Sequence, residues 1–310
     1  MHLTFIGLGN MGAQLVRAHL KAGAQCTIWN RSPKKQIVTD LQEAGASYEG
    51  DVEKAITASD VLVICLPDHE TIYKCLDALP SHSEDEAPFS TPKFIVNLSN
   101  GSPKDAENMD TWFKERQASV YVSAAIMAGP DNIGDHETSF ILYSGEIPSD
   151  LNNDVESVLS PFGKTEYVGR AVRNAQLNNN ASLAATYSLF AGALLSSAIL
   201  SQAADASGGS GEQKGRILKP FQSYVAPLLK PAAGELDGLI KSVEDGNEDA
   251  QGASISMIGA SLRNLSKTCK ELNVDPGGVE HLWKLCDEMM NDGEGSKGMQ
   301  VLVKKLISRT

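Results

Sequence analysis

Basic residues are scarce in this 310-residue sequence: 27 Lys and Arg stand against 39 Asp and Glu, a formal charge of −12. Without a basic excess, a nucleic-acid partner held through its phosphates is not expected. The five cysteines (Cys26, Cys65, Cys75, Cys269, Cys286) are scattered, odd in number and form no CxxC pair. That excludes a disulfide framework and makes a reduced, cytoplasmic setting the simple reading. His, Cys, Asp and Glu nowhere fall at metal-ligand spacing, so no metal is expected. The start, Met1-His2-Leu3-Thr4-Phe5-Ile6-Gly7, lacks a basic n-region and a cleavable apolar run, which argues against secretion. Charge of either sign is missing from Asn174 to Ala204. This stretch holds Asn178-Asn179-Asn180 and several serines, so its purely apolar runs are far shorter than the roughly 20 residues of a membrane span. No membrane contact is expected. The stretch reads as a helix buried inside protein, apolar nearly all round.

What is present is an ordinary globular composition, 42% hydrophobic and 21% charged, over a length suited to about two domains. Apolar runs at Leu3–Ile6, Cys26–Trp29, Val61–Leu66, Phe94–Leu98, Val120–Val122 and Phe140–Tyr143 read as strands. Helical periodicity over Met11–Ala22 and Lys34–Ala44 separates the first of them. Strands alternating with helices predict a mostly parallel sheet. Ser81–Pro92 reads as a polar surface loop. After about Tyr167 the strand signals stop, and helices are predicted over Ala175–Ala204, Pro220–Lys230, Ala232–Val243, Ala250–Glu271, Gly278–Met290 and Met299–Ile307. Ser207-Gly208-Gly209-Ser210-Gly211 reads as a linker within that half. The expected architecture is α/β: an N-terminal domain over 1–168, then a long interdomain helix and a C-terminal all-helical domain over 169–310.

Between the first strand and the first helix lies Gly7-Leu8-Gly9-Asn10-Met11-Gly12, a G-x-G-x-x-G motif. The first glycine makes the tight turn, the second lets the backbone approach a pyrophosphate, and the third lets helix and strand pack closely. Strand, helix and second strand follow on schedule, so the motif reads as a dinucleotide-binding Rossmann domain. The end of the second strand selects the dinucleotide. An NAD site places Asp or Glu there for the ribose 2′-hydroxyl; this chain has Asn30-Arg31-Ser32, then Lys34 and Lys35. Arg31 suits a bidentate pair with a 2′-phosphate, with Ser32 and Lys35 beside it. The expected cofactor is NADP(H). Leu66-Pro67, ending the third strand, is expected on its nicotinamide side, and Asn97 is a further cofactor-binding candidate.

Several stretches carry a resemblance. Asn97-Leu98-Ser99-Asn100-Gly101-Ser102-Pro103, Tyr121 to Gly134 (YVSAAIMAGPDNIG), Ile141 to Gly145 (ILYSG) and Leu189-Phe190-Ala191-Gly192 resemble the imine reductase, or reductive aminase, branch of the β-hydroxyacid dehydrogenase superfamily. The resemblance runs almost end to end. It implies NADPH-dependent hydride transfer to an imine or iminium, given as such or formed from a carbonyl and an amine. It also implies a homodimer with intertwined helical domains. The hydroxyacid branch carries a lysine early in the long helix, and here no lysine occurs between Lys164 and Lys214. Imine reductases commonly place Asp or Tyr at that helix position. Here it aligns with Asn179, a departure, because asparagine cannot act as a general acid. It can orient an amine or a water.

Asn179 is therefore the catalytic-position candidate, with Asn178 beside it. The alternative for Asn178–Asn180 is a helix start whose amides bond to backbone. Ser99 and Asn100, at the carboxyl end of a strand, Met127 and Tyr187 complete the substrate-side candidates, each with a plain turn or packing role as the competing reading. Two other functions stay open: a 3-hydroxyacid or aldehyde reductase of the same superfamily, and a non-catalytic NADP(H)-binding protein.

Overall fold

The computed structural model describes residues 1–32, 36–77, 79, 88–205, 217–250 and 252–307. The chain forms two compact units, Met1–Ala185 and Thr186–Thr310.

The first unit is built on one eight-stranded sheet. Its strands are β1 (His2–Ile6), β2 (Gln25–Trp29), β3 (Ser47–Tyr48), β4 (Val61–Ile64), β5 (Phe94–Asn97), β6 (Tyr121–Met127), β7 (Phe140–Ser144) and β8 (Lys164–Tyr167). Their spatial order is β3-β2-β1-β4-β5-β6-β7-β8. All pairs are parallel except β6 with β7, where Ser123 faces Ser144 and Met127 faces Phe140. The order reverses direction between β1 and β4, and ligands bind outside the carboxyl ends of strands at such a point. Helices α1 (Asn10–Lys21), α2 (Gln36–Glu43), α3 (Val52–Thr57), α4 (His69–Leu76), α5 (Pro103–Glu115) and α6 (Asn152–Leu159) make the crossovers and cover the sheet.

The two faces of the sheet divide by the period of two along each strand. Leu3, Phe5, Val61, Val63, Phe94 and Val96 enter one core, with Leu15 and Val16 of α1 and Val158 and Leu159 of α6. Ile6, Leu62, Ile64 and Ile95 enter the other, with Ile56, Ile72, Leu76 and the aromatic group Phe89, Trp112 and Phe113. Burial on both faces is why these strands read as unbroken apolar runs rather than alternating ones.

Several features differ from the sequence reading, which named neither β8 nor the helices α4, α5 and α6. β3 and α3 were not legible, being two and six residues long. β6 runs to Met127, longer than its apolar start suggested. Of the Ser81–Pro92 loop, residues 81–87 lie outside the described residues. The described remainder is not all surface: Phe89 is fully buried, edge-on to Trp112 and Phe113. A single aromatic in a polar segment has anchored it in the core.

Helix α7 (Asn174–Asp205) begins in the first unit and belongs to the second from Thr186 onward. After it come α8 (Leu218–Pro220), a π-helical turn (Phe221–Val225), α9 (Ala226–Gly234), α10 (Leu236–Glu244), α11 (Ile255–Glu271), α12 (Gly278–Asn291) and α13 (Leu302–Ile307). α11 starts five residues later than Ala250, where the Ser254 side chain accepts from Met257 N–H. The linker Ser207–Gly211 lies outside the described residues. The core of this unit is small: Ile255, Leu285, Cys286, Met289, Val301 and Leu302.

The reading of α7 as a helix buried inside protein is not met within one chain. Its most apolar 18-residue window contains no buried residue, and Leu194 is 71% exposed. Among the described residues it is the one helix long and apolar enough to cross a membrane by length and composition. The serines interrupt the apolar runs without lowering the average enough to fail that test. An apolar-all-round pattern says that a helix needs cover; it does not say where the cover comes from.

Candidate active site

The glycine turn follows β1 as its sequence requires. Gly7 has φ +99°, a left-handed value open to glycine, and a Cβ on it would meet Cys65 O at 2.3 Å. A Cβ on Gly12 would fall 1.9 Å from Gly7 O, so helix and turn touch backbone to backbone. Over Gly9 nothing lies within 4 Å. Gly9 is also the N-cap of α1 and brings no side-chain acceptor. By contrast, α3, α4 and α5 are capped by Asp51, Asp68 and Ser102. The first N–H groups of α1, with Asn10 and Met11, are thus left for a ligand, next to an opening made by the absent Cβ. This cradle fits a pyrophosphate.

At the end of β2, Asn30 donates from Nδ2 to Ser32 O (3.0 Å), and Arg31 and Ser32 are exposed. The charge of Arg31 is felt across the sheet end by Lys74 and Cys75 of α4, opposing the rise that burial gives the Cys75 thiol. Asn30, Arg31 and Ser32, directly after β2, include no acidic residue, which fits a 2′-phosphate and not a bare ribose diol. Lys35 lies outside the described residues.

The carboxyl ends of β4 and β5 meet in one hydrogen-bonded turn, which Tyr121 at the amino end of β6 joins through its hydroxyl. Leu66 N–H donates to Ser99 Oγ (2.9 Å), and Ser99 N–H donates to Asn97 Oδ1 (3.0 Å). Asn97 Nδ2 donates to the Tyr121 hydroxyl (2.9 Å). Asn97 and Ser99 are each 1% exposed. The amide of Asn97 is therefore committed to shaping the turn, while Asn100 and Pro67 are exposed and Leu66 and Met127 half-buried. Burial pushes the Tyr121 phenol well above its ordinary range, so it stays a neutral hydroxyl.

The first turns of α7 lie over this turn. Gln176 donates from Nε2 to Ser99 O and to Ala124 O (both 3.2 Å), and Asn180 donates from Nδ2 to Gly101 O (3.2 Å). Asn179, between them on the same helical face, is 3% exposed, and its side chain makes no hydrogen bond among the described residues. Asn178 points elsewhere: it is exposed and donates back to Asn174 O. The reading of these asparagines as backbone-bonded amides thus holds for Asn178 and Asn180 but not for Asn179. Tyr187 belongs to the second unit, is 62% exposed and packs on Phe190.

Two residues of this region escaped sequence reading. Gln176 had a signal, its i, i+3, i+4 spacing with Asn179 and Asn180. His69 had none. It is buried against Gly101, where a Cβ would come within 2.7 Å of its ring, and neither ring nitrogen has a partner among the described residues. Burial lowers its pKa below the ordinary value, so the imidazole is neutral.

Residues 2–169 match the NAD binding domain of 6-phosphogluconate dehydrogenase. An NADPH-dependent reductive aminase of Aspergillus oryzae is 29% identical over 98% of this chain and 96% of its own length. A reductive aminase of Aspergillus terreus, solved with NADPH and ethyl-5-oxohexanoate, is 30% identical with a TM-score of 0.86, covering 98% of this chain and 99% of that one. An imine reductase of Myxococcus stipitatus, solved with NADP+, is 26% identical with a TM-score of 0.85, covering 99% and 100%. The glycine cradle, the basic end of β2 and end-to-end similarity over both halves agree: the chain belongs to the imine reductase and reductive aminase family of the 6-phosphogluconate dehydrogenase-like superfamily.

Proposed function

We propose that this chain reduces an imine or iminium C=N bond to an amine with NADPH, taking either a preformed imine or a carbonyl with an amine. NADPH, when bound, supplies the hydride. The residues suited to hold it are Gly7 to Gly12 for the pyrophosphate, Arg31 and Ser32 for the 2′-phosphate, and the turn from Leu66-Pro67 to Ser99 beside the nicotinamide.

The observation that carries the substrate class is the chemistry of the α7 face and the turn beneath it. Asn100 and Asn179 supply amides, while Ser99, Gln176 and Asn180 are bonded to backbone and shape the face; none of the five is a carboxylate, phenol or ammonium. Such a set holds and orients a cation or a neutral C=N without giving it a proton. An iminium is already electrophilic at carbon and needs only position and the exclusion of water. A hydroxyacid carboxylate would need a cationic partner, which these segments lack.

A second copy of the chain is the natural cover for the exposed apolar side chains of α7, Phe190 and Leu194 among them. This supports a homodimer with intertwined helical domains, and two-fold dimers are the commonest assembly. Five free cysteines suit a reducing, cytoplasmic setting.

The test is NADPH oxidation by purified protein with cyclic imines, with carbonyl–amine pairs and with 3-oxo acids. Turnover of the first two supports the reading, and turnover of 3-oxo acids alone overturns it. Asn179→Asp sharpens it. A carboxyl buried as Asn179 is would have a raised pKa and carry a proton near neutrality, so this variant is expected to gain activity on neutral imines. Unchanged rates on neutral imines would remove Asn179 from the site.

A further inference from the structure

We infer that Gln176 is a positioning residue of the reaction: it locks the Ser99–Gly101 turn to the first turns of α7 and so sets where Asn179 stands relative to Ser99 and Asn100. The inference rests on the proposed reduction of a C=N bond.

Gln176 is 1% exposed and meets two carbonyl oxygens, Ser99 O on the turn and Ala124 O on β6, each at 3.2 Å. Only the NH2 end of an amide can satisfy two carbonyls, so the orientation of the side chain is dictated by its surroundings. One helical turn later Asn180 adds the bond to Gly101 O. The two bonds bracket Asn179 at i+3, on the face that meets the turn. Below the turn, His69 fills the space that a side chain at Gly101 would need. Ser99 N–H and Ser99 Oγ are already committed to Asn97 and Leu66. The turn is thus held from the sheet, from α4 and from α7. Gln176 is the α7 hold that water does not reach, whereas Asn180 is exposed. Displacing such a turn by about 1 Å misplaces the groups that orient the substrate, which costs on the order of 100-fold in rate.

Gln176→Met keeps the length of the side chain and removes both hydrogen bonds. The expected result is a fall in kcat of about 10–100-fold, with NADPH affinity, read by cofactor fluorescence, falling less than kcat because the glycine turn and Arg31 are untouched. Amide hydrogen exchange across Leu98–Ser102 should rise. Gln176→Glu separates positioning from plain structural loss. A carboxylate facing two carbonyl oxygens is repelled, whereas the protonated acid restores one O–H donor. Its kcat relative to wild type should therefore recover as pH falls. The ionisable groups around the turn, His69 and Asp105 beside it and Tyr121 beneath Asn97, are common to both proteins and cancel in that ratio. Wild-type kcat in Gln176→Met, a flat ratio in Gln176→Glu, or unchanged exchange at the turn would each overturn the inference. Failure of the wild type to reduce any imine would instead overturn the proposed function, and the exchange measurement would still decide whether Gln176 holds the turn.

Discussion

The two compact units spend their apolar residues in opposite ways. In Met1–Ala185 the middle of the sheet is closed on both faces, and β4 and β5 have no exposed residue at all. In Thr186–Thr310 six buried residues make the core cluster among the described residues, while Leu194, Leu228, Ile240 and Met257 are each more than 60% exposed. Burial of one such side chain stabilises by about 1.5–3 kcal/mol. The first unit collects that term within one chain. The second forgoes it until something covers it. The cradle and the locked turn lie in the self-sufficient unit, where backbone geometry is fixed by packing and not by association.

Gly12→Ala attacks the closed unit where it is tightest and has the largest expected effect. The new Cβ meets Gly7 O at 1.9 Å, and that oxygen belongs to backbone that cannot yield. NADPH binding should be lost and the melting temperature lowered, both read from a fluorescence titration and a thermal scan. Normal binding would show that α1 and the turn are not in rigid contact.

Leu194→Glu probes the open unit. If a second copy covers α7, a charge placed in that apolar interface should dissociate the dimer, and sedimentation should then find monomer with the first unit still folded. A variant that stays dimeric would place the interface elsewhere.

Arg31→Ala tests a smaller, local quantity. A hydrogen-bonded charge pair with a 2′-phosphate is worth about 1.5–3 kcal/mol, so NADPH affinity should fall about 10–100-fold. NADH affinity should stay unchanged. Equal loss for both dinucleotides would mean that Arg31 does not read the 2′-position.

The smallest effect concerns pH. His19 and His69 are buried, and burial lowers both values from the ordinary 6.5. The folded state then binds fewer protons than the unfolded chain below about 6.5, so this contribution is complete above that pH and is lost as pH falls through it. Urea midpoints should decline from neutral to mildly acidic pH, and His69→Gln should flatten that decline. A midpoint independent of pH in the wild type would contradict it.

Much of the first unit was legible because local rules and global fold agree there. Apolar runs gave strands, the glycine motif fell between β1 and α1, and Asn30-Arg31-Ser32 stood at a strand end. Short β3 and α3 were not legible, because two to six residues carry too little periodic signal. Phe89 was misjudged for the opposite reason: its polar neighbours hid an anchor. At the turn, Ser99 and Asn100 were recognisable by position after a strand. His69 was not, since its importance lies in the backbone of Gly101, 32 residues away.

By itself the sequence determined the order of elements, the dinucleotide cradle and the absence of a carboxylate at the end of β2. These follow from residues near one another in the chain, where spacing and side-chain chemistry suffice. Only the tertiary structure decided that Gln176 and Asn180 grip the Ser99–Gly101 turn, that Asn179 stands buried between them with no hydrogen bond among the described residues, and that α7 is exposed within one chain beyond it. Those outcomes depend on which surfaces meet across 50 to 80 residues of chain, and periodicity carries no record of a partner so distant.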